Sequence, residues 1–231
     1  MIRAVFFDLY NTLACNDPPR EQLQESACRE FGLSVASEAI KGALPVADDY
    51  YYQENARSNI EKRSPGDRDA AYGEYERRLL GAAGVEVPAQ TAFQILTRLR
   101  SYNTKMVLYE DVSLTLAQLR EWGLTLGLIS NVDHDMSPLL RLLGLDNCLD
   151  FMVTSWEVGS DKPHPPIFHT ALKRAGVPPS EALHVGDQYR IDVVGAQGVG
   201  IQALLLDRED FYPQISDCPH IRSLSQVADY L

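Results

Sequence analysis

The chain has 231 residues, 45% of them hydrophobic, enough for one large domain or one domain carrying an insertion. A formal net charge of −11 gives a surface that repels nucleic acid and anionic membranes, so neither is an expected partner. The four cysteines, Cys15, Cys28, Cys148 and Cys218, form no C-x-x-C pair and no zinc-type cluster with histidine, and read as free thiols of a reducing compartment.

Residues 2–7 are an apolar run of β-formers broken by Asp8 and Asn11, which predicts a buried strand running into a polar loop. Apolarity on both faces suits a central parallel strand covered by helices. The segment is too short, and too soon interrupted by Asp8, for a signal peptide or membrane span; a soluble, cytoplasmic protein is expected. From about residue 18 to residue 100 no strand is indicated. Helices are expected over 18–31, 37–52, 67–82 and 88–101, with Asp67 as an N-cap and Pro88 in a first turn. Gly32, the Ser64-Pro65-Gly66 turn and Gly84 separate them. The Tyr50-Tyr51-Tyr52 run falls in the second helix and reads as half-buried packing rather than a substrate box.

Beyond residue 107 strand and helix alternate. Helices are expected at 113–122, 136–143, 166–175 and 191–196, and strands at 124–129, 151–154, 182–185 and 202–206. Such βα units imply an α/β fold: a doubly wound, Rossmann-like parallel sheet with helices on both faces. Residues 1–14 and 105–231 would form this core, and 15–104 an inserted α-helical cap domain. The hinges would lie near 14–17 and 101–107.

Ligands of open α/β sheets bind at the carboxyl ends of the strands. There the chain places Asp8-Leu9-Tyr10-Asn11-Thr12-Leu13, then Ser130-Asn131, then Lys162-Pro163, then Gly186-Asp187-Gln188-Tyr189-Arg190-Ile191-Asp192. One crevice would thus receive two or three carboxylates, one amine and two small polar side chains. Each residue alone has a plainer reading. An acid at a strand end caps a turn or helix, Asp192 complements a helix dipole, Ser130 and Asn131 start a turn, and Lys162 is a solvated loop lysine. His134 and His164 titrate near neutrality, but no motif fixes their geometry and neither is assigned a role.

The ordered set resembles the haloacid dehalogenase-like superfamily of hydrolases. Its motifs are an Asp followed four residues later by Thr, a strand-end Ser or Thr, a Lys, and an acidic pair of the form G-D-x4-D. Asp8 and Thr12, Ser130, Lys162, and Gly186-Asp187 with Asp192 match in order. The inserted helices are similar to the family's helical-cap subclass.

The resemblance implies Asp8 as the nucleophile of a Mg²⁺-dependent phosphatase that acts on a small phosphate ester through an aspartyl-phosphate. A carboxylate attacks phosphorus if a metal offsets the repulsion between anions, and Mg²⁺ takes one or two carboxylates, a carbonyl and waters. Asp8 and Asp187 would be direct ligands, the Tyr10 carbonyl a third by analogy, and Asp192 a ligand through water or an orienting group. Lys162 would supply positive charge to the transferring oxygens and to Asp8. Thr12, Ser130 and the amides near Asn131 would donate to the phosphoryl group. Oligomeric state stays open.

One position departs from the phosphatase pattern. A second Asp usually stands two residues after the nucleophile and manages the protons; here it is Tyr10. A phenol with a pKa near 10 donates a proton but is a poor base at neutral pH. Tyr in this place is similar to the dehalogenase branch, which displaces halide from a 2-haloacid without metal. That branch typically reads S-N-x-x-D where this chain keeps Gly186-Asp187, and carries Tyr where this chain has Phe168. Three readings follow in order: the phosphatase, a 2-haloacid dehalogenase, and a phospholigand-binding module without efficient chemistry.

Overall fold

The structure, a computed structural model, describes residues 1–231 apart from the side chain of Ala56. Strand β1 (Ala4–Phe7) is buried throughout. Its side chains alternate between two cores, Val5 and Phe7 in one and Ala4 and Phe6 in the other, as the period of two in a strand requires. Burial of each phenylalanine contributes on the order of 2–3 kcal/mol. After a tight loop comes β2 (Ala14–Asp17), where the sequence indicated only a hinge.

Four helices follow: α1 (Arg20–Glu30), α2 (Ser37–Arg57), α3 (Pro65–Ala82) and α4 (Ala89–Arg100). The chain then enters β3 (Lys105–Leu108), which pairs with β2, so the expected hinge at 14–17 is strand and the one at 101–107 is strand from Lys105 onward. By contact density the chain divides into two compact units, Met1–Cys15 with Met106–Leu231, and Asn16–Lys105.

The helical unit has its own core. Ala27 and Cys28 of α1, Ile40 and Ala47 of α2, Leu79 and Leu80 of α3, and Ala92 and Ile95 of α4 meet there, at helical spacings. Two helix starts differ from expectation. Ser64, not Asp67, caps α3: its hydroxyl accepts the Asp67 amide at 3.3 Å, and Pro65 takes the first-turn place. The Ser64-Pro65-Gly66 stretch read as a turn is therefore a helix opening. Pro88 sits at the cap of α4 rather than in its first turn.

In the other unit the order is α5 (Val112–Glu121), β4 (Thr125–Ser130), α6 (Ser137–Leu143), β5 (Phe151–Thr154), α7 (Ser155–Val158), α8 (Pro165–Ala175), β6 (Ala182–Gly186), α9 (Val194–Gly198), β7 (Gln202–Leu206) and β8 (His220–Ile221). The six-stranded sheet runs β5-β4-β1-β6-β7-β8, parallel throughout. Helices α5 and α6 cover one face through Leu116, Leu119 and Leu140; α8 and α9 cover the other through Ile167, Phe168 and Ala196. This is the α/β, Rossmann-like architecture expected.

Besides β2 and β3, the unanticipated elements include α7, β8, a 3-10 helix over Leu224–Tyr230, and a π-helical turn over Tyr189–Val193 where a regular helix was expected from residue 191. The chain leaves β1 for β4 and β5 on one side and reaches β6, β7 and β8 on the other. That reversal opens a crevice at the carboxyl end of β1. No helix among the described residues is long and apolar enough to cross a membrane.

Candidate active site

β1 ends at Asp8, whose amide donates to the Val185 carbonyl at 2.9 Å. The nucleophile candidate is thereby tied to the end of the neighbouring β6. Lys162, in the loop before α8, is buried and reaches into the same space. Its Nζ donates to Asp8 Oδ1 at 2.7 Å and to Asp192 Oδ1 at 2.6 Å. Asp192 also meets His184 Nε2 at 2.9 Å through Oδ1 and accepts the Gln188 amide at 3.1 Å through Oδ2. A buried line of groups thus runs His184, Asp192, Lys162, Asp8. Gly186 is required beside it, since a Cβ there would fall inside the Asp192 carboxyl group.

Asp187 faces the same space from the loop after β6. Its Oδ2 accepts from Asn11 Nδ2 at 3.3 Å, and its buried Oδ1 has no partner among the described residues. The Thr12 and Ser130 hydroxyls are also buried and unpartnered. An unmade hydrogen bond of this kind costs roughly 1–3 kcal/mol. Three such oxygens on loops that meet at one sheet edge point to a ligand that completes them.

Asn131 is placed differently from a substrate-binding side chain. Its amide is spent on the lysine loop, donating to the Lys162 carbonyl at 2.9 Å and accepting the Lys162 amide at 2.7 Å. What Asn131 can offer a ligand is backbone. The half-buried Tyr10 has its hydroxyl 4.0 Å from Met136 Sδ, a weak contact, and makes no recorded bond to Asp8. Exposed His134 pairs with adjacent Asp133, and His164 caps α8; neither joins the cluster.

The electrostatics follow from three carboxylates around one amine. Burial pushes the Asp8 carboxyl up to about 6, with Lys162 opposing and Asp192 adding to the rise. Burial and repulsion from Asp8 and Asp192 push Asp187 well above the usual range. Burial also acts on Asp192, but Lys162 and His184 outweigh it and hold that carboxyl well below the usual range. Lys162 stays charged because the same two carboxylates outweigh its desolvation. Burial pushes the His184 imidazole down, with Asp192 opposing.

This excess of negative charge fits a divalent cation that prefers oxygen. Among the described residues no three acidic, histidine or cysteine groups stand ready-formed around an ion. Two carboxylates, a carbonyl and several waters suffice for Mg²⁺, and the unpartnered Asp187 oxygen is the donor such a site needs.

Sequence reasoning missed three contributors. Asn11 adopts a left-handed backbone, φ 58°, which aims its amide at Asp187; Asn tolerates that region better than most residues. His184 was visible as the one titratable group inside an apolar strand. Arg208, paired with Asp111 at 2.8 Å, donates to the Thr12 carbonyl at 3.1 Å and braces that loop, with no local signal in sequence.

The family model described as haloacid dehalogenase-like hydrolase matches residues 2–200. The chain belongs to that family. This haloacid dehalogenase-like hydrolase is 40% identical over 129 residues to haloacid dehalogenase-like hydrolase domain-containing protein 3 of Mus musculus, covering 56% of this chain and 51% of that one. The match therefore spans about half of the mouse protein's length. Over 217 residues it is 31% identical to glyceraldehyde 3-phosphate phosphatase of Methanothermobacter thermautotrophicus, covering 90% and 87% of the two chains. Among solved structures, 2-haloacid dehalogenase from Pseudomonas syringae pv. Tomato DC3000 superimposes with a TM-score of 0.58 at 26% identity, over 99% of this chain and 97% of that one.

Proposed function

We propose that this hydrolase is a Mg²⁺-dependent phosphatase of small phosphate esters, with Asp8 as nucleophile and the helical segment 15–104 as its cap. The observation that carries the reading is the set of three carboxylates, Asp8, Asp187 and Asp192, around the single amine of Lys162, with Asp187 Oδ1 unpartnered. Similarity to a phosphatase over most of both chains supports it.

Mg²⁺ would be held by Asp8, Asp187 and the Tyr10 carbonyl, with Asp192 acting through water or by orienting the others. When bound, it offsets the repulsion between the attacking carboxylate and the phosphoryl group. An Asp8 oxygen attacks phosphorus in line. The new O–P bond forms as the ester O–P bond breaks, and the electron pair leaves on the alcohol oxygen. Water then attacks the aspartyl-phosphate, releasing phosphate and restoring Asp8. Lys162 opposes the effect of burial on Asp8 and faces the transferring oxygens. Thr12, Ser130 and the amides near Asn131 donate to those oxygens. Tyr10 gives a proton to the leaving alcohol oxygen, and the phenolate so formed takes one back from the attacking water. Burial and nearby Asp8 raise its pKa further, so the resting phenol keeps its proton at neutral pH and is not itself a base.

Asp8→Asn is expected to abolish Mg²⁺-dependent phosphate release from a small aryl phosphate. Undiminished release would overturn the assignment. Tyr10 and the similarity to a 2-haloacid dehalogenase favour a second reading, halide displacement by the same Asp8. Halide release from a 2-chlorinated acid in EDTA would establish that reading instead. Tight binding of phosphate analogues without turnover on a broad panel would favour the non-catalytic module.

A further inference from the structure

The helical unit holds a cavity of about 440 Å³ whose wall includes Tyr51, Tyr52, Tyr72, Tyr75 and Tyr102. That volume lies within the range of small-molecule sites. The half-buried packing expected for the Tyr50–Tyr52 run holds, and two of its three side chains also line this cavity. All three residues are half-buried in α2, but Tyr51 and Tyr52 line a cavity while Tyr50 packs beneath Arg78.

The chemistry of this wall is selective. Three of the hydroxyls are committed to carboxylates: Tyr72 to Glu61, Tyr75 to Asp48 at 2.7 Å, and Tyr102 to Glu30 at 2.7 Å. Those side chains therefore offer ring surface rather than free donors, which suits a flat π-system better than a polyol. Tyr51 lies near-parallel to Tyr72, at 23°, and edge-on to Tyr52 and Tyr75. Leu23, Leu96 and Leu99 extend the apolar lining.

Two arginines reach the cavity, and they differ. Arg20 is compensated, donating to the Tyr75 hydroxyl and lying 3.7 Å from Asp48. Arg100 is exposed and lies over the Tyr72 ring, 4.0 Å from its centroid; Glu76 feels its charge, but among the described residues Arg100 forms no salt bridge. A guanidinium held flat on an aromatic wall and outside any direct ion pair is a fork for a planar anion.

We propose that this cavity binds a planar aromatic anion, one or two fused rings bearing a carboxylate or phosphate, with the rings against the tyrosines and the anion on Arg100. The site does not rest on the phosphatase reading. Two sources share the chemistry: an aromatic carboxylic acid, or an aryl phosphate held through its phosphate.

Calorimetric titration of the full-length protein with 2-naphthoate tests the proposal. Saturable one-to-one binding is expected, weakened about tenfold by Arg100→Gln and also by Tyr52→Leu, with cyclohexanecarboxylate binding about tenfold more weakly than naphthoate. Both substitutions lie at partly exposed positions, and an unchanged unfolding midpoint confirms that each variant is folded. Lack of saturable binding, equal affinity for the saturated ring, or unchanged affinity in both variants would overturn the proposal. In Asp8→Asn, displacement of naphthoate by 2-naphthyl phosphate would uphold the site as one that also takes aryl phosphates. Simultaneous binding of the two would uphold it as a site for the carboxylic acid alone.

Discussion

Lys162 holds two buried carboxylates at once, and its removal leaves both without their cation. Lys162→Met should cost about 3–5 kcal/mol of stability, the usual result of breaking a buried ion pair from one side, together with the hydrolytic activity. Urea unfolding measures the first and phosphate release the second; a variant as stable as wild type would show that water already screens the cluster. Gly186→Ala isolates geometry from charge. The added methyl displaces the Asp192 carboxyl, so activity should fall at least about a hundredfold while every ionisable group is kept; retention of full activity would show that Asp192 needs no fixed position. At this scale the sequence was informative where chemistry demands a residue type at a strand end: Asp8, Lys162, Asp187 and Asp192 do converge. It was silent where partners come from afar. Nothing in the sequence near Asn131 announces that its amide is consumed by the Lys162 backbone.

Among the elements, the strands of the parallel sheet were legible because each is a short apolar run bounded by polar or glycine residues. β2 and β8 were not, since neither is apolar along its length and their pairing depends on segments distant in sequence. The start of α3 was misjudged because Ser64-Pro65-Gly66 suits a turn as well as a cap; only the Ser64 hydroxyl bond to the Asp67 amide decides between them.

Helix α3 also carries a buried acid, Glu76, which accepts from the Gln24 amide and leaves its other oxygen unpartnered. Burial pushes its carboxyl up to about 7 against the opposing charge of Arg20. The folded state thus binds this proton more tightly than the unfolded state. Its contribution to stability is complete at pH values below about 4.5 and is lost as pH rises to about 7. A displacement of that size corresponds to about 3 kcal/mol. Glu76→Gln should therefore unfold at a higher temperature than wild type at pH 8 and at nearly the same temperature at pH 4. Parallel melting curves at all pH values would show that the side chain reaches water.

For the whole molecule, the excess of carboxylate over amine ties stability to the proposed cation. At pH 7.5, Mg²⁺ at a hundred times its dissociation constant should stabilise the protein by about 2.7 kcal/mol, read as a rise in the unfolding midpoint. The rise should shrink at pH 5, where the Asp8 carboxyl, pushed to about 6, holds a proton that competes with the metal, and the upward shift of Asp187 by burial acts in the same direction. Asp187→Asn should remove most of the rise. An equal rise at both pH values would place the ion elsewhere.

The position of β1 has a consequence for how the protein comes into being. Ala4 pairs with Thr125 on one side and Ala182 on the other, whereas the four helices of Asn16–Lys105 find their partners among their sequence neighbours. Contacts that close long loops form late, and local ones form early. On a ribosome the helical segment can therefore collapse while the strand that precedes it has nothing to pair with. Ala4-Val5-Phe6-Phe7, an apolar stretch with strong β-propensity, stays available to other chains until Thr125 and Ala182 have emerged to pair beside it. A strand made before the helical segment is thus seated after it, and waits for cover until its partner strands have followed.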